Sequence, residues 1–461
     1  MKTYLLGLDS VPVWLFRDMA KDKNLGAVKW FADASDLKDL QSNMPPVTAS
    51  AWLSIYTGLS EAELGIYDFF RLNSKYEMEL SDFDNIEKKP FWESIKGRSL
   101  VITPAMVTRA IKNPNVDLLT GFPARYKTNN GAIARFMKEH GLEEEPDIER
   151  RVENGEISAS QASRILAQKI RLKFELMKKM DANNNYGLVF LCITETDRIQ
   201  HFTLSRDNWR EYMLPLFEEI NRVFGYLKSQ CLDNGARVIA VSDHGGIATY
   251  KKFIINGWLA RNGYASIKQN ARKIDISNPV LRGIYRRMPK AIRSRVANIS
   301  QAAQGFTAKD LDHANTIAFS ATSTNKIVPV WINDSRFILG DDKNIARKKG
   351  LARELGRLRY IRKVFDGREY YGKTDKFIVP DLLIEAKDGY TIKTNEIGSS
   401  DIEKVDVFRG GEHTRYGMIG TYPKMLHGPA VYSVRDVSGL VMHSILKTSK
   451  ARKARPHAAN G

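Results

Sequence analysis

Apolar side chains run almost without interruption through residues 3–9, Tyr186–Thr194 and Arg237–Val241, and polar residues follow each run at once. A strand that must bury both faces reads this way, because covering helices remove the need for a polar alternate. The same reading predicts strands at Ser99–Thr103, Lys326–Ile332, Phe377–Ile384 and Met418–Thr421. Between them the apolar positions recur at helical spacing over Val13–Ala20, up to about Thr57, and over Pro90–Ile95, Ala132–His140, Ala159–Met180 and about 211–233. Strand and helix alternating in this order predict an α/β fold, a mostly parallel central sheet with helices on both faces. The pattern loosens over about 107–180 and 250–325, which are expected to be helical cap insertions on a catalytic domain spanning 1–446. No internal repeat interrupts the alternation.

Composition narrows the class. With 43% hydrophobic and 27% charged residues over 461 positions, the chain reads as a soluble globular protein with a sizeable core. No run approaches the roughly 18 apolar residues that cross a bilayer, and the first strand is too short for a secretory signal. Cys192 and Cys231 fall in apolar patterns and read as inert core thiols, so the expected compartment is the cytoplasm. A net charge of +18 concentrates in 282–295 and in the basic tail 447–461, expected to be disordered. Those segments, 282–295 and 447–455, offer a second reading: a catalytically silent scaffold that binds nucleic acid or an anionic membrane. They read equally as solvated surface.

Candidate chemistry sits where the strands end. Asp9 follows the first, Asp197 and His201 follow Tyr186–Thr194, and Asp243 and His244 follow Arg237–Val241. In an open α/β sheet these ends face one crevice. His413 comes from a Gly-rich loop near the C-terminus. Three Asp and three His suffice for two metal ions with three protein ligands each, and a set without thiolate suits Zn²⁺, with Mn²⁺ or Fe as alternatives. Taken singly, Asp197 and His201 could be an i,i+4 surface pair, and Asp9 or Asp243 a capping residue. Pro45-Pro46-Val47-Thr48 delivers a hydroxyl to a helix start, where unpaired N–H groups favour a phosphate. Thr48 alone could be only an N-cap. Beside the six ligands it reads as the nucleophile of a two-metal phosphate-ester hydrolase. His140, His313, His427, His443 and His457 have no such company and are expected to be structural.

The segments Pro46-Val47-Thr48-Ala49-Ser50-Ala51-Trp52, Thr196-Asp197-Arg198-Ile199-Gln200-His201, Ser242-Asp243-His244-Gly245 and Gly411-Glu412-His413 resemble, in order and spacing, the type I phosphodiesterase/nucleotide pyrophosphatase branch of the alkaline phosphatase superfamily. The resemblance implies one metal held by Asp197, His201 and His413, and a second held by Asp9, Asp243 and His244 with Thr48 bridging toward it. It implies in-line attack by Thr48 on a small phosphate ester, monoester or diester, through a phosphothreonine. Three positions depart from the family: Ser50 stands where Pro is usual, Leu64 where His is common, and Ala51 where the eukaryotic nucleotide pyrophosphatases carry Asn. No ligand is lost, but a nucleotide specificity does not carry over. The Cys/Ser-x-Pro-x-Arg context of a sulfatase is missing, and the short loop after Thr48 leaves no room for the inserted domain of a cofactor-independent phosphoglycerate mutase.

Overall fold

A computed structural model of the protein describes residues 2–453 apart from 74–77, 82, 84–85, 146, 269–309, 323–324, 334–341, 399, 406–409 and 429–430. Its principal sheet runs, edge to edge, Tyr432–Ser433, Lys38–Gln41, Tyr416–Tyr422, Arg237–Val241, Thr3–Leu8, Tyr186–Ile193, Arg98–Ile102, Val116–Leu119. Five of the seven neighbouring pairs are parallel, and only the two pairs made by Tyr416–Tyr422 are antiparallel. The mostly parallel α/β architecture expected from the alternation is therefore the one observed.

The continuous apolar runs have a simple cause. Leu6, Leu8, Val189, Leu191, Val238 and Ala240 face a core formed with helices Val13–Met19, Gly26–Ala34, Ala159–Ala182 and Trp209–Asn234. The alternate residues Leu5, Leu188, Phe190, Ile239 and Val241 face a second core with helices Thr48–Thr57 and Asp436–Lys453. Each buried side chain of this size contributes about 1.5–3 kcal/mol, so both faces of the three central strands hold the register. That register sets Leu8 level with Ile193 and Gly7 level with Val241. Asp9, Thr194 and Ser242 consequently leave the sheet at the same height. Cys192 and Cys231 are buried free thiols, as expected, with burial pushing Cys231 up to about 12.

Strand Gly245–Ile254 leaves the principal sheet. Its first half pairs with Gly411–Thr414, and its second half with Gly389–Lys393 and Ile402–Lys404. A further antiparallel sheet, Ala318–Phe319, Ile327–Ile332, Leu382–Ala386 and Ile361–Asp366, shares a third core with it through Phe253, Ile392 and Trp331.

Several elements differ from the sequence reading. Residues 107–180, expected as a cap insertion, supply the edge strand Val116–Leu119 and the helix Ala159–Ala182, which packs on both the sheet and Trp209–Asn234. The strand expected at Phe377–Ile384 spans Leu382–Ala386, because Pro380 has no N–H to give the ladder. Pro90–Ile95 holds one 3-10 turn, Phe91–Glu93, with a strand already starting at Arg98. The last helix continues through Lys453, where disorder was expected from 447, since Lys, Ala and Arg all favour helix. Segment 282–295 and residues 454–461 lie outside the described residues. No helix of the described residues is long and apolar enough to cross a membrane.

Candidate active site

Thr48 is the first residue of helix Thr48–Thr57, preceded by the extended Val47, and makes no capping bond. Its hydroxyl instead lies 3.1 Å from His244 Nε2. The N-cap alternative is thereby excluded by position. The side chain is buried, and the first N–H groups of its helix lack intrahelical partners.

The six carboxylates and imidazoles converge around this hydroxyl. Asp9, Asp243 and His244 form one group whose ligand atoms lie within 4.8 Å of one another, and Asp197, His244 and His413 form another. His244 Nε2 is 3.2 Å from Asp243 Oδ2 and 3.6 Å from Asp9 Oδ1. Asp197 meets His201 Nε2 at 3.1 Å through Oδ2 and His413 Nε2 at 3.2 Å through Oδ1. The His201 and His413 Nε2 atoms are 3.4 Å apart, and the His244 and His413 rings stack at 3.9 Å. His244 therefore faces both groups, which the sequence alone did not suggest.

Each imidazole is oriented by its other nitrogen. His201 Nδ1 donates to Gly411 O at 3.2 Å, His244 Nδ1 to Gly245 O at 3.3 Å, and His413 Nδ1 to Pro46 O at 2.9 Å. A carbonyl only accepts, so these contacts place a proton on Nδ1 and leave Nε2 as the nitrogen that faces the carboxylates. Three Nε2 atoms thus face three carboxylates, an arrangement that needs positive charge, protons or metal ions, between them. Asp9 Oδ1, Asp197 Oδ1 and Asp243 Oδ2 are buried without a hydrogen-bond partner, which fits metal ligation.

The electrostatics say the same. Burial, then the Asp243 and Asp197 charges, push the Asp9 carboxyl well above its ordinary range. Burial likewise raises Asp243 to about 7, aided by the Asp197 charge and opposed by the Ser10 N–H that its carboxylate accepts. Burial opposes charge on His201 too, yet the Asp197 carboxylate raises it to about 10. Asp197 is held well below the carboxylate range by His201 and His413 in spite of its burial. His244, fully buried, is held well below the ordinary imidazole value. Protons at Asp9, Asp243 and His201 take up the role that a cation would have.

Glycine makes the convergence possible at two places. A Cβ on Gly411 would lie 2.1 Å from Gln200 O and 3.0 Å from His201 Cα, and one on Gly246 would lie 2.1 Å from Gln200 Oε1. These close approaches let strands Gly245–Ile254 and Gly411–Thr414 lie against helix Glu195–Thr203. That helix is anchored from behind by charge. The fully buried Lys173 Nζ is 2.7 Å from Glu195 Oε1, and Arg198 pairs with Glu149 at 2.5 Å and Glu144 at 3.0 Å. Nothing in the sequence had singled out Lys173.

Other partners were missed as well. Thr196 Oγ1 donates to Asp9 O at 2.6 Å, Gln200 Nε2 to Ser10 O at 2.8 Å, and Trp52 Nε1 to Asp9 Oδ2 at 2.9 Å. The signal for Trp52 was its place one helical turn after Thr48. Ala51 is fully buried in the second core, so the departure from Asn at this position is a packing residue here.

The type I phosphodiesterase/nucleotide pyrophosphatase family model matches residues 3–414, and the chain belongs to that family. It is thus a hydrolase acting on phosphoric ester bonds, with the fold of the alkaline phosphatase superfamily. Among solved structures, phosphonoacetate hydrolase from Sinorhizobium meliloti 1021 in complex with phosphonoacetate is similar over 96% of this chain and 95% of its own, at 12% identity and a TM-score of 0.59. Murine ectonucleotide pyrophosphatase/phosphodiesterase 5 is similar over 100% of this chain and 98% of its own, at 12% identity and a TM-score of 0.51. No curated protein sequence matches the chain.

Proposed function

We propose that the chain hydrolyses a small phosphate ester at two adjacent divalent-metal pockets, with Thr48 as the nucleophile. The observation that carries this reading is the ring of three Nε2 atoms and three carboxylates around one buried hydroxyl. Asp197, His201 and His413 would hold one cation and Asp9, Asp243 and His244 the other, His244 lying beside both. A purely oxygen and imidazole donor set suits Zn²⁺, with Mn²⁺ or Fe as alternatives. The cations would supply charge that acidifies the hydroxyl and neutralises the phosphoryl oxygens.

The chain's own groups define the rest. The Thr48 oxygen bonds to phosphorus as the ester P–O bond breaks and the leaving alcohol takes a proton. Water then attacks phosphorus, the bond to Thr48 breaks, and a proton from that water restores the hydroxyl. Helix-start N–H groups beside Thr48 stabilise the phosphoryl charge in both steps. An inactive variant of the murine structural neighbour is in complex with AMP, and the Sinorhizobium enzyme has been captured with phosphonoformate. No observation among the described residues favours the silent-scaffold alternative, and segment 282–295 lies outside them.

The test is turnover of p-nitrophenyl phosphate and bis-p-nitrophenyl phosphate with and without divalent metal. Thr48→Ala is expected to lower kcat about a thousand-fold or more, and Thr48→Ser to keep part of it. Acid quenching of the active protein should trap phosphate on Thr48. Turnover by Thr48→Ala within tenfold of the parent would refute the role of the hydroxyl.

A further inference from the structure

We propose that Trp52 is a positioning residue that keeps Asp9 a one-oxygen metal ligand and so sets which cation the Asp9–Asp243–His244 pocket prefers. The inference rests on the two-pocket reading above. Trp52 and Asp9 are both fully buried, and the indole N–H reaches Asp9 Oδ2 at 2.9 Å. Asp9 Oδ1 is left buried, without a hydrogen-bond partner, and turned toward His244 Nε2. The two oxygens of one carboxylate therefore have different duties.

Three features make the division permanent. An indole nitrogen donates and never accepts, so Oδ2 stays engaged whatever occupies the pocket. The donor is neutral. A Lys or Arg in its place would cancel the charge that Asp9 brings to a cation, whereas Trp52 orients the carboxylate and leaves that charge whole. Finally, the ring cannot swing away. A Cβ on Gly7 would lie 2.6 Å from Trp52 Cη2, so the strand backbone is pressed against one side of the ring. Tyr56 stacks on it at 5.8 Å, and Tyr56 is itself braced by Trp92 and Phe190 at 4.8 and 5.9 Å. Trp52 also stands one turn after Thr48 on a single helix, so the hydroxyl and the anchor of Asp9 share one rigid support. A carboxylate with one oxygen withheld offers a low ligand count, which suits Zn²⁺ or Co²⁺ better than Ca²⁺, a cation that takes both oxygens readily.

The experiment compares the full chain with Trp52→Phe, which keeps most of the ring and removes the donor. Metal-stripped proteins are titrated with Zn²⁺ against a chelator, then loaded with Co²⁺ for visible spectroscopy and challenged with Ca²⁺. One of the two Zn²⁺ sites should weaken 10- to 100-fold, as loss of an outer-shell partner does, while the other is unchanged. The Co²⁺ bands should lose intensity, and Ca²⁺ should compete more strongly. Tyr56→Leu is the packing control, expected to lower Tm with both Zn²⁺ affinities intact. If Trp52→Phe does not fold, replacing Trp52 by its benzothienyl isostere removes the N–H at constant shape. Two unaltered affinities and an unaltered Co²⁺ spectrum in the donor-free protein would overturn the proposal, as would equal weakening in Tyr56→Leu. A parent chain that binds fewer than two metals would instead overturn the two-pocket reading itself.

Discussion

Without metal, Asp243 should make the protein less stable as pH rises. Its side chain is fully buried, and its folded-state value is about 7 against an ordinary 3.8. Between those values the folded chain keeps a proton that the unfolded chain has lost, so the contribution is complete below pH 3.8 and gone above pH 7. Three pH units at about 1.4 kcal/mol each give roughly 4 kcal/mol. For a chain of this length the unfolding entropy is near 1 kcal/mol per degree, so the shift in Tm is about 4 °C. Asp243→Asn cannot ionise and removes the term. His244, held low, destabilises in the opposite sense below about pH 6.5, and that term is present in both proteins. The assay is therefore a difference: Tm of parent minus Tm of Asp243→Asn, both chelated, at pH 5 and pH 7.5. Between pH 5 and pH 7.5 about two of those units remain, so the parent should lose about 3 °C relative to the variant on going to pH 7.5, and divalent metal should restore it. A difference that does not change with pH, or equal rescue of both proteins by metal, would refute the reasoning.

Two further outcomes concern the supports of the site. Gly411→Ala forces a Cβ against backbone at Gln200, and neither backbone can yield cheaply. It should cost at least about 1–3 kcal/mol by denaturant unfolding and release metal, and an unperturbed variant would show that the close approach is not needed. Lys173→Met leaves Glu195 buried and uncompensated, with an expected loss of about 3–5 kcal/mol, whereas Lys173→Met combined with Glu195→Gln should recover much of it in a double-mutant cycle.

The parts of the molecule that the sequence revealed share one property: burial on both sides. Strands Thr3–Leu8, Tyr186–Ile193 and Arg237–Val241 carry apolar residues on either face, so their runs stand out, and the polar residues ending them mark the crevice. That is why Asp9, Asp197, Asp243 and His244 were legible together. Edge strands were not. Val116–Leu119 is four residues long in a stretch punctuated by Asn, Pro and Gly, too short for a period to show. Lys173 went unnoticed because helical spacing locates a face but cannot say that Glu195 waits on it. Trp52 counted only as an apolar position, since nothing local distinguishes an indole that packs from one that also donates.

Strand Gly245–Ile254 starts beside His244, pairs with the strand bearing His413, and ends inside the third core. Its ladder, with one register shift opposite Gly389 and Tyr390, connects the chemistry to the outlying layers. Any breathing between those layers and the crevice would have to tear that ladder and carry His244 and His413 along. A rearrangement of those layers would therefore be felt at His244 and His413.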